Sequence, residues 1–125
     1  MLKVGIIGVG TVGASVANIL RDNKNIITAR AGKEIVSTIG VVSNLDKKRN
    51  VDIKLTANID EVLNDDSIDV VVELMGGIDK PNEIVRKALL KGKAVVTANK
   101  ALLAYHRYEL QELAGDIPFE FEAAV

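Results

Sequence analysis

The sequence predicts a single α/β domain spanning residues 1–125, doubly wound around a mostly parallel sheet with helices on both faces. Three observations predict it. Short apolar, β-branched runs alternate with stretches of helical period from one end of the chain to the other. A length of 125 residues suits one such domain and leaves no room for a second. The apolar fraction of 48% is built from Val, Ile, Leu and Ala, with two Phe, two Tyr and no Trp, a palette suited to strands buried on both faces.

The first strand is read over residues 2 to 8, apolar and bounded by glycine. A helix follows, with Val12, Val16, Ile19 and Leu20 at helical spacing between Thr11 and the Arg21-Asp22-Asn23 limit. Residues 24 to 34 carry no clean period and read as a connection or a frayed extension of that helix. The second strand is expected over 34 to 42, an exposed loop over 45 to 52 and a short third strand over 53 to 56. Asn58 is a candidate N-cap for a short helix through Val62 and Leu63. Residues 69 to 74, around Val70-Val71-Val72, predict a strongly buried strand that turns at Met75-Gly76-Gly77. Pro81 belongs in the first turn of the next helix, Ile84, Val85, Ala88 and Leu89 make its apolar face, and Gly92 stops it. Residues 94 to 97 form the next strand, Asn99 opens a helix with Leu102, Leu103, Leu110 and Leu113, and residues 119 to 125 begin a last strand. A strand-like run with no polar tail points to a fragment of a longer protein.

Composition excludes several classes of function. Sixteen basic against seventeen acidic residues give a net charge of −1, which recommends neither nucleic acid nor an anionic membrane as partner. Zero cysteines exclude disulfides, thiol catalysis and cysteine-based zinc sites, and fit the reducing cytoplasm. The apolar opening is no signal peptide or membrane anchor, because Gly5, Gly8, Gly10 and Gly13 interrupt it and Arg21 and Asp22 end it.

Gly8-Val9-Gly10-Thr11-Val12-Gly13 matches G-x-G-x-x-G at the end of a predicted strand and the start of a predicted helix, the context in which this weak motif becomes informative. Gly8 permits a tight turn, Gly10 lets the backbone approach a pyrophosphate, and Gly13 lets the helix pack on the strand. Amides around Thr11 and Val12 would then face phosphate oxygens, helped by the helix dipole. This is a Rossmann-type arrangement, and it implies a dinucleotide. The fingerprint continues with an acid at the end of the second strand, bound to the adenosine ribose. Here Glu34 precedes that strand, and its end carries Ser43 and Asn44, followed by Lys47, Lys48 and Arg49. A site without a carboxylate and with cations nearby favours NADP modestly over NAD. The basic triplet is equally well a solvated loop.

Ligands of open α/β sheets lie outside the carboxyl ends of the strands, which directs attention to Glu73-Leu74-Met75-Gly76-Gly77 and to Thr97-Ala98-Asn99-Lys100-Ala101. A lysine in a first helical turn is disfavoured by the macrodipole. Lys100 is either an exposed residue tolerating that cost, or an amine aimed into the cofactor cleft and desolvated there enough to pass protons. Spacing alone leaves both open.

The glycine loop, Glu73-Leu74-Met75-Gly76-Gly77, the string from Val95 through Thr97-Ala98-Asn99-Lys100 to Ala104, and Phe121-Glu122-Ala123-Ala124-Val125 together resemble, in order, the N-terminal domain of homoserine dehydrogenases. The resemblance implies NAD(P)H-dependent reduction of L-aspartate 4-semialdehyde to L-homoserine, in the biosynthesis of threonine and methionine. It implies a proton-transfer role beside the nicotinamide for Lys100, and dinucleotide contacts at Gly76, Thr97 and Asn99. It also implies a sodium ion near Glu122 and Val125, and a homo-oligomeric full-length enzyme. A second lysine and the acids that bind the amino acid would come from a following domain, so the chain by itself is expected to bind dinucleotide and turn over little substrate.

His106 reads as a surface residue, lacking a metal-binding or triad partner nearby in sequence. Tyr105 and Tyr108 read as packing or rim residues, and the acids at 65 to 66 and 109 to 112 as solvated. Two rival readings stand beside the resemblance. One is a dinucleotide-sensing module without chemistry, which has no need of Lys100. The other is a different two-domain amino-acid dehydrogenase.

Overall fold

The computed structural model of the chain describes residues 2–9, 11–23, 25, 28–29, 32–43, 51 and 53–121. Six strands, β1 (Leu2–Ile7), β2 (Ile35–Val41), β3 (Lys54–Thr56), β4 (Val70–Glu73), β5 (Ala94–Thr97) and β6 (Phe119–Glu120), form one sheet in the order β3-β2-β1-β4-β5-β6. Every neighbouring pair is parallel. The chain moves outward one way from β1 to β3 and then returns to begin again at β4, so the order reverses between β1 and β4. That reversal leaves a crevice at the carboxyl edge of the sheet.

The helices are α1 (Thr11–Asp22), α2 (Asp60–Leu63), α3 (Asp79–Leu90) and α4 (Lys100–Ala114). Strand residues alternate between two cores, as a sheet covered on both faces requires. Val4, Ile6 and Val9 pack with Ala17 of α1 on one face. Ile7, Val71 and Val95 pack with Val62, Val85, Ala88, Leu102 and Leu110 from α2, α3 and α4 on the other. Arg86 of α3 and Glu109 of α4 pair across the outer surface of that second layer. Among the described residues, no helix is long and apolar enough to cross a membrane.

The local punctuation follows the sequence. Asn99 caps α4, its side chain accepting from the Leu102 amide at 3.0 Å. Pro81 is buried in the first turn of α3, and Gly92, at φ +79°, follows its last turn. Asn58 accepts from the Asp60 amide at 3.0 Å, and Ile59 between them is already helical at φ −59° and ψ −32°, so Asn58 caps α2 as expected. Between α1 and β2, Asn25, Thr28 and Ala29 are helical, and the Gly32 amide bonds to the Thr28 carbonyl at 3.0 Å.

The register between β1 and β2 shifts after Val4, so Thr38 is an extra residue, and its buried hydroxyl has no partner among the described residues. β6 covers Phe119–Glu120 and Phe121 lies beyond it, while residues 122–125 of the expected strand lie outside the described residues. Its partner β5 pairs with it only through Val96 before the chain leaves the sheet for α4. Most of the expected loop over 45 to 52 lies outside the described residues, which include only Val51 of it.

Candidate dinucleotide site

Register places Val41, Ile7, Glu73 and Thr97 in one row across the carboxyl edge, from β2 through β1 and β4 to β5. The chain leaves β1 at Gly8, whose φ of +96° is a conformation that side-chain-bearing residues rarely adopt. The amides of Gly8 and Val9 both donate to the Val41 carbonyl, at 3.0 and 3.2 Å. A Cβ on Gly8 would stand 3.1 Å from the Leu74 backbone. A Cβ on Gly13 would stand 2.6 Å from the Gly8 carbonyl oxygen, so the first turn of α1 sits hard against the end of β1. Glycines at these positions are therefore requirements of backbone approach, and they bring the opening of α1 up against the end of β1.

Beside this turn lies a cleft of about 300 Å³, lined by Ile7, Gly8, Val41, Val42, Ser43, Ala57, Ile59, Met75, Gly76 and Lys80. Its walls come from the ends of β1, β2, β3 and β4. Lys80 is the one charged residue among the described lining. Glu34, by contrast, sits at the opposite edge, where its carbonyl accepts from the Leu2 amide at 2.7 Å, so it is remote from any ribose bound in the cleft. A shaped cleft, an apolar floor and a glycine-lined helix opening at the point of strand reversal fit an adenine dinucleotide.

On the other side of the reversal, the ends of β4 and β5 are joined by buried side chains. Glu73 is 0% exposed, Thr97 1% and Asn99 8%. The Met75 amide donates to Glu73 Oε1 at 2.8 Å, and the Thr97 hydroxyl to Oε2 at 2.6 Å. The Asn99 amide donates to Thr97 Oγ1 at 3.1 Å, and Asn99 Nδ2 to the carbonyls of Met75 and Gly77 at 3.3 and 2.8 Å. Burial pushes the Glu73 carboxyl above its ordinary value, opposed by the hydrogen bonds from Thr97, Met75 and Asn99.

Residues 8–118 match the family described as homoserine dehydrogenase, NAD binding domain. The chain belongs to that family. The homoserine dehydrogenase of Helicobacter pylori is 45% identical over 99% of this chain and 30% of its own length. The crystal structure of the Thiobacillus denitrificans homoserine dehydrogenase superposes with a TM-score of 0.94 at 43% identity, covering 99% of this chain and 30% of that one. A hyperthermophilic archaeal homoserine dehydrogenase in complex with NADPH has the same fold, with a TM-score of 0.76 at 22% identity over 99% of this chain and 44% of its own. The chain thus spans about 30% of the length of the curated homoserine dehydrogenases of Helicobacter pylori and Bacillus subtilis that it matches.

Of the residues singled out in this homoserine dehydrogenase domain, Gly8, Gly13, Ser43 and Gly76 gather around the crevice, and Thr11 and Val12 open α1 beside it. Thr97 and Asn99 are drawn together beneath the 75–77 turn, with their side chains engaged in holding it. Lys100 is the first residue of α4 and is exposed; among the described residues the amine has no hydrogen-bond or ion-pair partner. Gly10, Asn44, Lys47, Lys48, Arg49, Glu122 and Val125 lie outside the described residues. Sequence reasoning passed over Ile59 and Lys80 as lining residues and Glu73 as the centre of a network. Position just past a strand end was the available signal for Ile59 and Lys80, and an acid ending a run of valines was the signal for Glu73.

Proposed function

We propose that this chain is the nicotinamide-dinucleotide-binding unit of a homoserine dehydrogenase that interconverts L-aspartate 4-semialdehyde and L-homoserine. The observation that carries the reading is the 2.6 Å approach of the Gly13 Cβ position to the Gly8 carbonyl at the strand reversal. Such closeness serves a helix opening aimed at a diphosphate. In this reading the backbone amides near Gly10, Thr11 and Val12 bind the diphosphate. Ser43, with Asn44, lies toward the adenosine ribose, and Gly76, Thr97 and Asn99 border the nicotinamide end.

The nicotinamide, when bound, supplies or accepts the reducing equivalent. Lys100 holds or moves the proton at the substrate oxygen, and its exposed amine stands ready to meet a substrate held by another part of the enzyme. NADP is favoured over NAD, because Ser43 ends the second strand where a ribose-binding acid would stand and Lys80 brings a positive charge to the cleft. The NADPH bound by the archaeal neighbour agrees with that preference. A sodium ion near Glu122 and Val125, a homo-oligomeric enzyme and a cytoplasmic location belong to the same reading.

Titration of the chain with NADP and with NAD tests it. Saturable binding of both, tighter for NADP, is expected; no binding of either removes the proposal. Lys100→Ala in the full-length enzyme is expected to abolish most turnover while cofactor affinity stays within about twofold, since a proton carrier acts on the chemical step. Unchanged turnover takes Lys100 out of the mechanism.

A further inference from the structure

Sheet pairing between β4 and β5 ends at the Glu73 and Thr97 row. Past that row, the two segments that border the crevice, the 75–77 turn and the opening of α4, are joined by side chains. Glu73 receives the Met75 amide from its own turn and the Thr97 hydroxyl from the neighbouring strand. Thr97 receives the Asn99 amide, and Asn99 returns to the Met75 and Gly77 carbonyls. The bonds close a ring in which Met75 is held at both its amide and its carbonyl. The same Asn99 caps α4 through the Leu102 amide, so the ring also fixes the helix turn that carries Lys100.

Met75 of this turn also packs against the core, whereas its two glycines bring no side chain to hold it. A Cβ on Gly76 or Gly77 would meet nothing within 4 Å among the described residues, and Gly77 stands at φ +91°. A run of three valines leads into this position, and burying a carboxyl in place of a fourth apolar residue is costly unless its oxygens are satisfied. The groups shown donating to Glu73, the Met75 N–H and the Thr97 O–H, ask for an acceptor at each oxygen, which the carboxylate supplies and an amide at this position does not.

We propose that Glu73 is a positioning residue for the nicotinamide half of the dinucleotide site, acting through the 75–77 turn and the start of α4 and not by contact with the ligand. The proposal rests on the reading of the chain as a dinucleotide-binding domain, and its test separates the two. Calorimetry on the chain compares two pairs of probes, NADP with 2′-phospho-ADP-ribose and NAD with ADP-ribose, in which the second member lacks only the nicotinamide ring. Wild-type protein is compared with Glu73→Gln, Thr97→Val and Thr97→Ser.

The wild type is expected to bind each dinucleotide more tightly than its ring-free counterpart. Glu73→Gln sets an amide N–H against one buried donor, Thr97→Val removes the two hydrogen bonds of the Thr97 hydroxyl, and each is expected to weaken dinucleotide binding by about fivefold, leaving the ring-free probes within about twofold. Thr97→Ser, which keeps the hydroxyl, is expected to restore wild-type values. Equal weakening of both members of a pair would make Glu73 a fold-stabilising residue only and overturn the proposal. Unchanged binding in both variants overturns it as well, as does a wild type that fails to distinguish the members of a pair. A wild type that binds none of the four probes instead removes the dinucleotide reading itself.

Discussion

The two sides of the strand reversal are built by different means. On the β1 side the close contacts are made by backbone: the turn at Gly8, the two amides on the Val41 carbonyl and the near-collision of Gly13 with Gly8. On the β4 and β5 side they are made by buried polar side chains whose partners are 24 residues apart in sequence. A diphosphate is gripped by amides that every residue possesses, so the sequence requirement there is for absent side chains. Holding two loops at a fixed distance beyond the last sheet hydrogen bond needs side chains of defined length and polarity, and these are replaced less freely.

That contrast can be pressed first at the backbone side. Gly13→Ala forces a methyl against the carbonyl of Gly8, a residue tied to Val41 through its own amide, and is expected to cost about 1–3 kcal/mol of stability as an overpacking change, together with measurable dinucleotide affinity. Gly76→Ala, which adds the same methyl in open space, is expected to change stability by less than about 0.5 kcal/mol. Urea unfolding of the two variants checks the difference, and equal costs would break the distinction between the two glycines.

A buried polar contact at the opposite edge of the sheet gives the next comparison. Lys93 is 4% exposed and donates to the carbonyls of Asp65 and Ile68 at 2.6 and 2.9 Å. Lys93→Met keeps the stem and strands both acceptors, so a loss of about 1–3 kcal/mol is expected. Because this clip is remote from the crevice, dinucleotide affinity measured well below the unfolding temperature should be unchanged. Reduced affinity would show that buried polar contacts at both edges serve the site equally.

The acid in the ring gives a pH dependence of known sign. Burial raises the Glu73 carboxyl above its ordinary value, so the folded chain holds that proton more tightly than the unfolded chain does. The stability this group contributes is present below the ordinary carboxylate value and is lost as pH rises through the raised one. Glu73→Gln removes the dependence, so its unfolding free energy should gain on that of the parent across this window and run parallel to it above. Asp65 has the opposite sign and a smaller consequence, being exposed. The Ser67 hydroxyl, then the Ser67 amide, hold its carboxyl below the ordinary value. Its contribution is therefore lost as pH falls through the lowered value, and Ser67→Ala should return the Asp65 titration, followed by NMR, toward that of a free aspartate.

The same division explains what could be read from the residues alone. Gly8, Gly13 and the Asn99 cap are local matters, decided within a few residues by φ, by close approach or by one side-chain bond three positions on, and the sequence reading located all three. The succession of strands and helices along the chain followed from the alternation of short apolar runs with helical stretches, whereas their order in the sheet did not. The cleft lining was only half legible, because Val42, Ile59 and Lys80 become neighbours only when three strand ends meet. Glu73 was recognised as part of a family-like string, but its role depends on Thr97, which lies next to it only through the β4 and β5 register. Of the run expected as the last strand only residues 119 to 121 are described, and Phe121 falls outside β6 because pairing with β5 ends at Val96, a fact about a neighbouring element that Phe121 itself does not carry.

The most direct measurement is an amide chemical-shift titration of the chain with NADP, with residues assigned. The account requires saturable shifts at Gly8 and Gly13, at the opening of α1 and at Ser43 and Gly76, with Lys3, Ser67 and Lys93 at the far edge of the sheet unmoved. Saturation that leaves the Gly8 to Gly13 amides in place, or that moves the far edge instead, would contradict it.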